Sequence, residues 1–309
     1  MPTATVTPSL TGRDLLSIDQ LTAGELIAVL DLADQLKLLQ AQGVPHRLLP
    51  GRTLAMIFQK ASTRTRVSFE VGISQLGGTA LNLSASEMQL GRGETIEDTG
   101  IVLSRYVDGI MIRARSHADV EQLAEASSVP VINGLTDGHH PCQALADVQT
   151  LRERLGELEG RRLAWVGDGC NNVCHSLISA AGMLGMLITV ASPLGYEPDA
   201  RVVAAAGNVT LVEDPIEAVT TADAIVTDVW TSMGQEAERE QRIANLTPYR
   251  VDATLLEHAP DESIVLHCLP AHYGEEITHE ILHGPRSAAW DEAENRLHAQ
   301  KALLAMVMA

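Results

Sequence analysis

The sequence predicts an α/β protein: two doubly wound parallel-sheet domains, a cleft between them, and a C-terminal helix returning to the first domain. Three observations carry this. Short apolar runs alternate with segments of helical period, the pattern of βαβ units. The alternation pauses at a helix-like stretch near 141–155 and then starts again, which divides the chain. Polar clusters follow the strands, where open parallel sheets bind ligands. The division falls at 1–145, 146–288 and a terminal helix over 289–309.

Taken in order, residues 1–12 are polar and loose. Thr22-Ala23-Gly24-Glu25 reads as a capping box, and Leu26, Val29, Leu30, Ala33, Leu36 and Leu39 then recur at helical spacing. Gly43 and Pro45 end that helix. Thr53–Phe58 is an apolar run suited to a buried strand, followed by a helix that stops near Gly77-Gly78. A second strand spans 79–83. Residues 84–94 hold two glycines and no sustained period, so they form a loop. A helix near 94–106, a strand over Gly109–Ile112 ending in Arg113, a helix over 117–127 and a strand over 130–133 follow. Asn133 to His140 is a polar loop, and Pro141 suits the first turn of a helix running to about Leu155. The second cycle has strands at 163–166, 186–190, 209–212, 224–227 and 264–266, with helices over 173–184 and 198–206. The tail from Trp290 to Met308 is rich in Ala and Leu and helical.

The chain has 309 residues and a formal net charge of -18. Such a surface repels nucleic acid and anionic lipid, so neither is an expected partner. An anion site on it needs a local positive cluster, and with only Lys37, Lys60 and Lys301 as lysines, arginine must supply it. Aromatic residues are 3%, so the core is aliphatic. The cysteines Cys142, Cys170, Cys174 and Cys268 show no metal-ligand spacing, and no metal or cofactor is expected. Cys170 and Cys174, four apart, suit one helix face. No signal-peptide pattern and no 18-residue apolar span is visible, and a reducing cytoplasm is the expected compartment.

Ser62-Thr63-Arg64-Thr65-Arg66 lies at a strand-to-helix junction. Free N–H groups at a helix start, hydroxyls and an arginine fork together suit a phosphate; the same residues suit an ordinary cap with surface arginines. Arg113, at a strand end, is either a second ligand group for that crevice or a partner for a surface acid. His140, Pro141, Cys142 and Gln143 put an imidazole and an amide at a helix start. The helix dipole lowers the imidazole pKa there, leaving a neutral ring that can donate to a carbonyl; a plain polar cap is the alternative. Gly167-Asp168-Gly169-Cys170-Asn171-Asn172 fails the dinucleotide pattern because residue 172 is Asn, and no acid ends the next strand. Two asparagines there suit a carboxylate or simple capping. Asp228 at a strand end suits an ammonium group, and Ser232-Met233-Gly234 a closing loop. Cys268 is a nucleophile candidate or a small buried residue. Arg296 is a ligand group or a surface charge.

Ser62-Thr63-Arg64-Thr65-Arg66, His140-Pro141-Cys142-Gln143, Asp228 through Ser232-Met233-Gly234, and His267-Cys268-Leu269-Pro270 occur in the order and spacing of ornithine carbamoyltransferases. The chain thus resembles the aspartate/ornithine carbamoyltransferase family over nearly its whole length. The resemblance implies transfer of a carbamoyl group from carbamoyl phosphate to the side-chain amine of L-ornithine, by direct attack. It implies that Ser62, Thr63, Arg64 and Thr65 hold the phosphate, and that Arg113, His140, Gln143 and Arg296 hold the carbamoyl group. Cys268 and the Leu269 backbone would line the reacting centre. Asn172, Asp228, Ser232 and Met233 would bind ornithine's α-groups. A homotrimer, or a multiple of trimers, is implied, with Gln89 reaching a neighbour's site. Two departures stand out. Cys170 interrupts the family's Gly-Asp-Gly-Asn-Asn turn, and Arg92-Gly93 replaces a pair of basic residues in the adjacent-subunit loop.

Overall fold

A computed structural model describes residues 10–86, 88–89, 93–231 and 236–309. It divides into two compact units: residues 1–149 with 294–309, and residues 150–293.

Unit 1 is built on β1 (Thr53–Phe58), β2 (Thr79–Ser84), β3 (Gly109–Arg113) and β4 (Val131–Leu135). All pair in parallel, in the order β2-β1-β3-β4. Helices α1 (Ala23–Ala41), α2 (Thr63–Gln75), α3 (Ile96–Leu103) and α4 (His117–Ala126) flank them, with most of α5 (Pro141–Leu155). The capping box at Thr22 and Glu25 forms in full. β1 is buried from Leu54 to Phe58, which is why its sequence does not alternate. Ala55, Ile57, Ile110, Ile112, Val120 and Leu123 share one aliphatic core.

Unit 2 repeats the scheme with β5 (Arg162–Val166), α6 (Asn172–Met183), β6 (Leu187–Ala191), α7 (Ala200–Ala206), β7 (Val209–Val212), α8 (Pro215–Val219) and β8 (Ala224–Thr227). Then come α9 (Arg239–Leu246), α10 (Ala253–Leu256), β9 (Ile264–His267) and α11 (His279–Leu282). Its parallel order is β7-β6-β5-β8-β9. Trp230 sits fully buried in its core with Val166, Ile225 and Val251. Trp165 is buried too, whereas Trp290 is 49% exposed.

The last helix, α12 (Ala289–Val307), packs on unit 1. Gly12 N–H donates to Val307 O at 2.9 Å, and the buried Lys301 Nζ donates to Gln40 and Gln75 at 2.8 and 2.9 Å. The aliphatic stem of Lys301 lies over Gly72 of α2, where a Cβ would come within 3.2 Å of it.

Three local expectations change. The strand expected at 130–133 runs to Leu135, and Asn133 is a buried strand residue. Its amide donates to Leu16 O and accepts from Leu135 N–H, which lets the strand continue through Gly134 and Leu135, residues expected in the following loop. Cys170 and Cys174 do not share a helix face: α6 starts only at Asn172, leaving Cys170 exposed in the turn and Cys174 buried. The short helices α8 to α11 were not foreseen, because four to eight residues carry too little periodicity.

Candidate active site

In each unit the strand order reverses at one point, between β1 and β3 in unit 1 and between β5 and β8 in unit 2. Open parallel sheets bind ligands beyond the carboxyl ends of strands at such a point. The sequence motifs fall there: the Ser62 segment after β1, Arg113 ending β3, the 167–172 turn after β5, and Asp228 after β8.

In unit 1, Ser62 is the N-cap of α2, its hydroxyl accepting from Thr65 N–H at 3.2 Å. Thr63 opens the helix on the exposed side and Arg64 is half-buried. Thr65 is 1% exposed, and its hydroxyl receives two guanidinium groups at 3.3 Å each, from Arg113 and from Arg296. Arg296 also donates to Gln143 Oε1 at 2.6 Å across a separation of 153 residues. Gln143 donates in turn to the buried carboxylate of Asp147 at 2.7 Å. Three chain-distant segments thus meet at one hydroxyl. Arg296, offered above as a surface charge or a ligand group, is buried at 3% exposure.

His140 lies in the same cluster. Its pKa is lowered well below the usual imidazole value, by burial first and then by Arg296, Arg113 and Arg64. The direction matches the helix-start expectation; the cause is desolvation and three nearby cations. A neutral imidazole results, able to donate one hydrogen bond. Burial pushes the neighbouring Cys142 thiol up to about 12, which keeps it inert. Gln89 is exposed after β2 and joins none of these hydrogen bonds.

In unit 2, Gly167 turns the chain at φ +126°, a backbone only glycine adopts readily. Asn171 then caps α6, its oxygen accepting from Val173 N–H at 2.7 Å. Its amide donates to Asp228 Oδ2 at 2.9 Å, while the Cys268 thiol donates to Asp228 Oδ1 at 3.0 Å. Asp228 thus accepts from two side chains of other segments. Asn172 is the first residue of α6 and half-buried, so the direct link to Asp228 belongs to Asn171, its neighbour. Leu269 follows Cys268 with φ +59° and a cis bond to Pro270. Asp168 pairs in the interior with Arg242, whose Nε donates to Trp230 O at 2.5 Å and whose guanidinium lies 5.0 Å from the Tyr196 ring. Ser232 and Met233 lie outside the described residues.

Sequence reasoning missed Asp147, Arg242 and the buried Glu276. These are charged residues inside helices or loops, and only the fold reveals their burial. Asn171, named with Asn172 as a pair suited to a carboxylate or to capping, is the cap.

Fold and site together define an α/β enzyme of two parallel-sheet units, with an oxyanion-suited cationic cluster on one and a carboxylate–amide–thiol cluster on the other. Residues 13–153 match the aspartate/ornithine carbamoyltransferase carbamoyl-P binding domain, and residues 159–307 the Asp/Orn binding domain of the same family. The chain belongs to the aspartate/ornithine carbamoyltransferase family. Ornithine carbamoyltransferase of Carboxydothermus hydrogenoformans is 56% identical over 305 residues, covering 96% of this chain and 98% of that protein. The enzyme of Thermococcus kodakarensis is 55% identical over 308 residues, covering 97% and 98%. The solved structure of ornithine carbamoyltransferase from Pyrococcus furiosus superposes with a TM-score of 0.94 at 55% identity, covering 98% of this chain and 99% of that one.

Proposed function

We propose that the protein transfers the carbamoyl group of carbamoyl phosphate to the side-chain amine of L-ornithine, giving L-citrulline and phosphate. The observation that carries this is the unit 1 cluster: three arginines, a buried hydroxyl and a neutral imidazole in a protein of net charge -18. Relatives named for this reaction support the choice of acceptor.

The phosphate is held by Ser62, Thr63, Arg64 and Thr65, at the start of α2, where N–H groups and the helix dipole favour an anion. Arg113 and His140 donate to the carbamoyl oxygen, and Gln143, held by Arg296, orients the amide. As the amine attacks the carbonyl carbon, charge builds on that oxygen and these donors stabilise it. The C–O bond to phosphate then breaks, the departing phosphate takes the proton that the attacking nitrogen sheds, and Arg64 with its hydroxyl neighbours takes up the charge of that phosphate. The amine must arrive without its extra proton, since an ammonium has no lone pair. Ornithine's α-groups bind to Asn172, Asp228, Ser232 and Met233, while Cys268 and the Leu269 backbone line the reacting centre. Cys268 donates to Asp228 and no covalent intermediate on sulfur is invoked. Fixing both substrates in line supplies much of the remaining acceleration.

The assembly is a homotrimer or a multiple of it, with Gln89 serving a neighbour's site. Val67 and Val71 of α2 and Leu81 of β2 are exposed apolar side chains on unit 1 and give such packing a surface. Among the described residues no helix is long and apolar enough to cross a membrane.

The test is formation of the carbamoylated amine and phosphate from carbamoyl phosphate with ornithine, putrescine, aspartate and N-acetylornithine offered side by side, the product with ornithine being citrulline. Turnover with ornithine alone is expected. Equal or faster turnover with another amine overturns the acceptor assignment, and no turnover with any of them overturns the reaction.

A further inference from the structure

His267 ends β9 and leads into Cys268-Leu269-Pro270. Its ring is wholly buried and engaged at both nitrogens. Leu269 N lies 2.9 Å from Nδ1, and Glu276 Oε1 lies 3.1 Å from Nε2. A backbone N–H can only donate, so Nδ1 is the acceptor. The ring proton therefore sits on Nε2 and points at Glu276. The same Glu276 oxygen accepts from His272 N–H at 2.6 Å, and Glu292 accepts from His267 N–H at 2.8 Å. Glu276 is 0% exposed. Leu269 meanwhile holds φ +59°, the one non-glycine residue at positive φ among those described. That conformation is unfavourable for an L-residue and persists only where neighbours determine it.

We propose that Glu276 is a positioning residue for the reacting loop. It fixes the His267 tautomer, which leaves Nδ1 free to anchor Leu269 N–H and so sets the direction of the Leu269 backbone and of Cys268. The inference rests on the reading above that Cys268 and Leu269 line the reacting centre. Glu276 also belongs to a trio with His272 and Glu275 whose donor atoms lie within 4.8 Å of one another. Glu275 pairs there with Arg239, and Glu276 Oε1 accepts from two N–H donors.

Three variants test this. Glu276→Leu removes the acceptor, and Glu276→Gln keeps an acceptor oxygen. His267→Gln, with its amide nitrogen at the Nε2 position, keeps an N–H for Glu276 but leaves the Nδ1 position that faces Leu269 N–H empty. Glu276→Leu and His267→Gln should lower kcat for citrulline formation about 100-fold, the scale of a misplaced reacting group, with KM for carbamoyl phosphate within about 2-fold. Glu276→Gln should recover to within about 5-fold of the parent. Hydrogen exchange at the Leu269 amide, which needs no substrate, should speed up in the first two variants and not in the third. Parent-like turnover and Leu269 exchange in His267→Gln, or a Glu276→Gln as impaired as His267→Gln, would overturn the proposal. That comparison stands even where Glu276→Leu fails to fold. Should the parent make no citrulline, the functional reading falls, and Leu269 exchange still decides this one.

Discussion

Arg296→Lys isolates what the guanidinium fork contributes. Arg296 donates through two nitrogens to two acceptors, Gln143 at 2.6 Å and Thr65 at 3.3 Å. A lysine keeps the charge, but its ammonium sits near the position of the arginine's central carbon, roughly 1.3 Å short of each terminal nitrogen, one C–N bond length. Both acceptors cannot be reached at once. Losing one buried hydrogen bond from a charged donor costs about 1.5–3 kcal/mol. At 1.36 kcal/mol per decade, kcat/KM for carbamoyl phosphate should fall about 10- to 150-fold. KM for ornithine, read at saturating carbamoyl phosphate, should move by less than about 3-fold, because every contact of Arg296 named here lies in unit 1. Steady-state citrulline assays with each substrate varied give both numbers. A kcat/KM for carbamoyl phosphate within about 3-fold of the parent, or an ornithine KM that rises more, would refute the reasoning.

The stability of unit 1 should fall as the solution is acidified from pH 7. His140 is held well below the usual value and His298 at about 3, both by burial first, so the folded chain stays unprotonated where the unfolded chain gains protons below about pH 6.5. The His298 contribution alone should remove about 2 kcal/mol between pH 7 and pH 5, and His298→Leu should make the pH dependence shallower by about that amount in urea unfolding followed by far-ultraviolet circular dichroism. An unchanged slope would sink the assignment of His298. Arg242→Met should lower the unfolding free energy of unit 2 by about 3–5 kcal/mol, since it strands the buried Asp168 carboxylate, whose pKa burial already raises. Adding Asp168→Asn should restore part of the loss in the same unfolding measurement; a double variant no better than the single one would argue against the ion pair as the cause.

What could be read from the chain was local. Thr53–Phe58, Val209–Val212 and Ala224–Thr227 are predictable because a buried parallel strand, or a short β-branched one between turns, writes itself in consecutive residues. The Thr22 capping box and Pro141 at a helix start are likewise short-range rules. The Ser62 and Asp228 segments stood out because polar residues directly after apolar strands need a reason. The joining of Thr65, Arg113, Gln143 and Arg296 had no such signature: one bond spans 153 residues, and only the folded sheet brings its ends together. Asn171 and Asn172 show the same limit on a smaller scale, since the sequence of the turn does not say which of two adjacent amides donates to Asp228. Gly134 and Leu135 extend the strand beyond Asn133 because the buried Asn133 amide satisfies its own partners, including Leu135 N–H, inside the sheet.

All three tryptophans fall in unit 2: Trp165 and Trp230 in its interior and Trp290 half open to solvent. Intrinsic tryptophan emission therefore watches one half of the molecule, and the half bearing Thr65 and the three arginines is silent in that channel. A melting curve taken by fluorescence records the loss of unit 2, and its mismatch with a backbone probe would measure how independently the two halves unfold. A single tryptophan introduced at an exposed site of unit 1 would give that half its own optical signal.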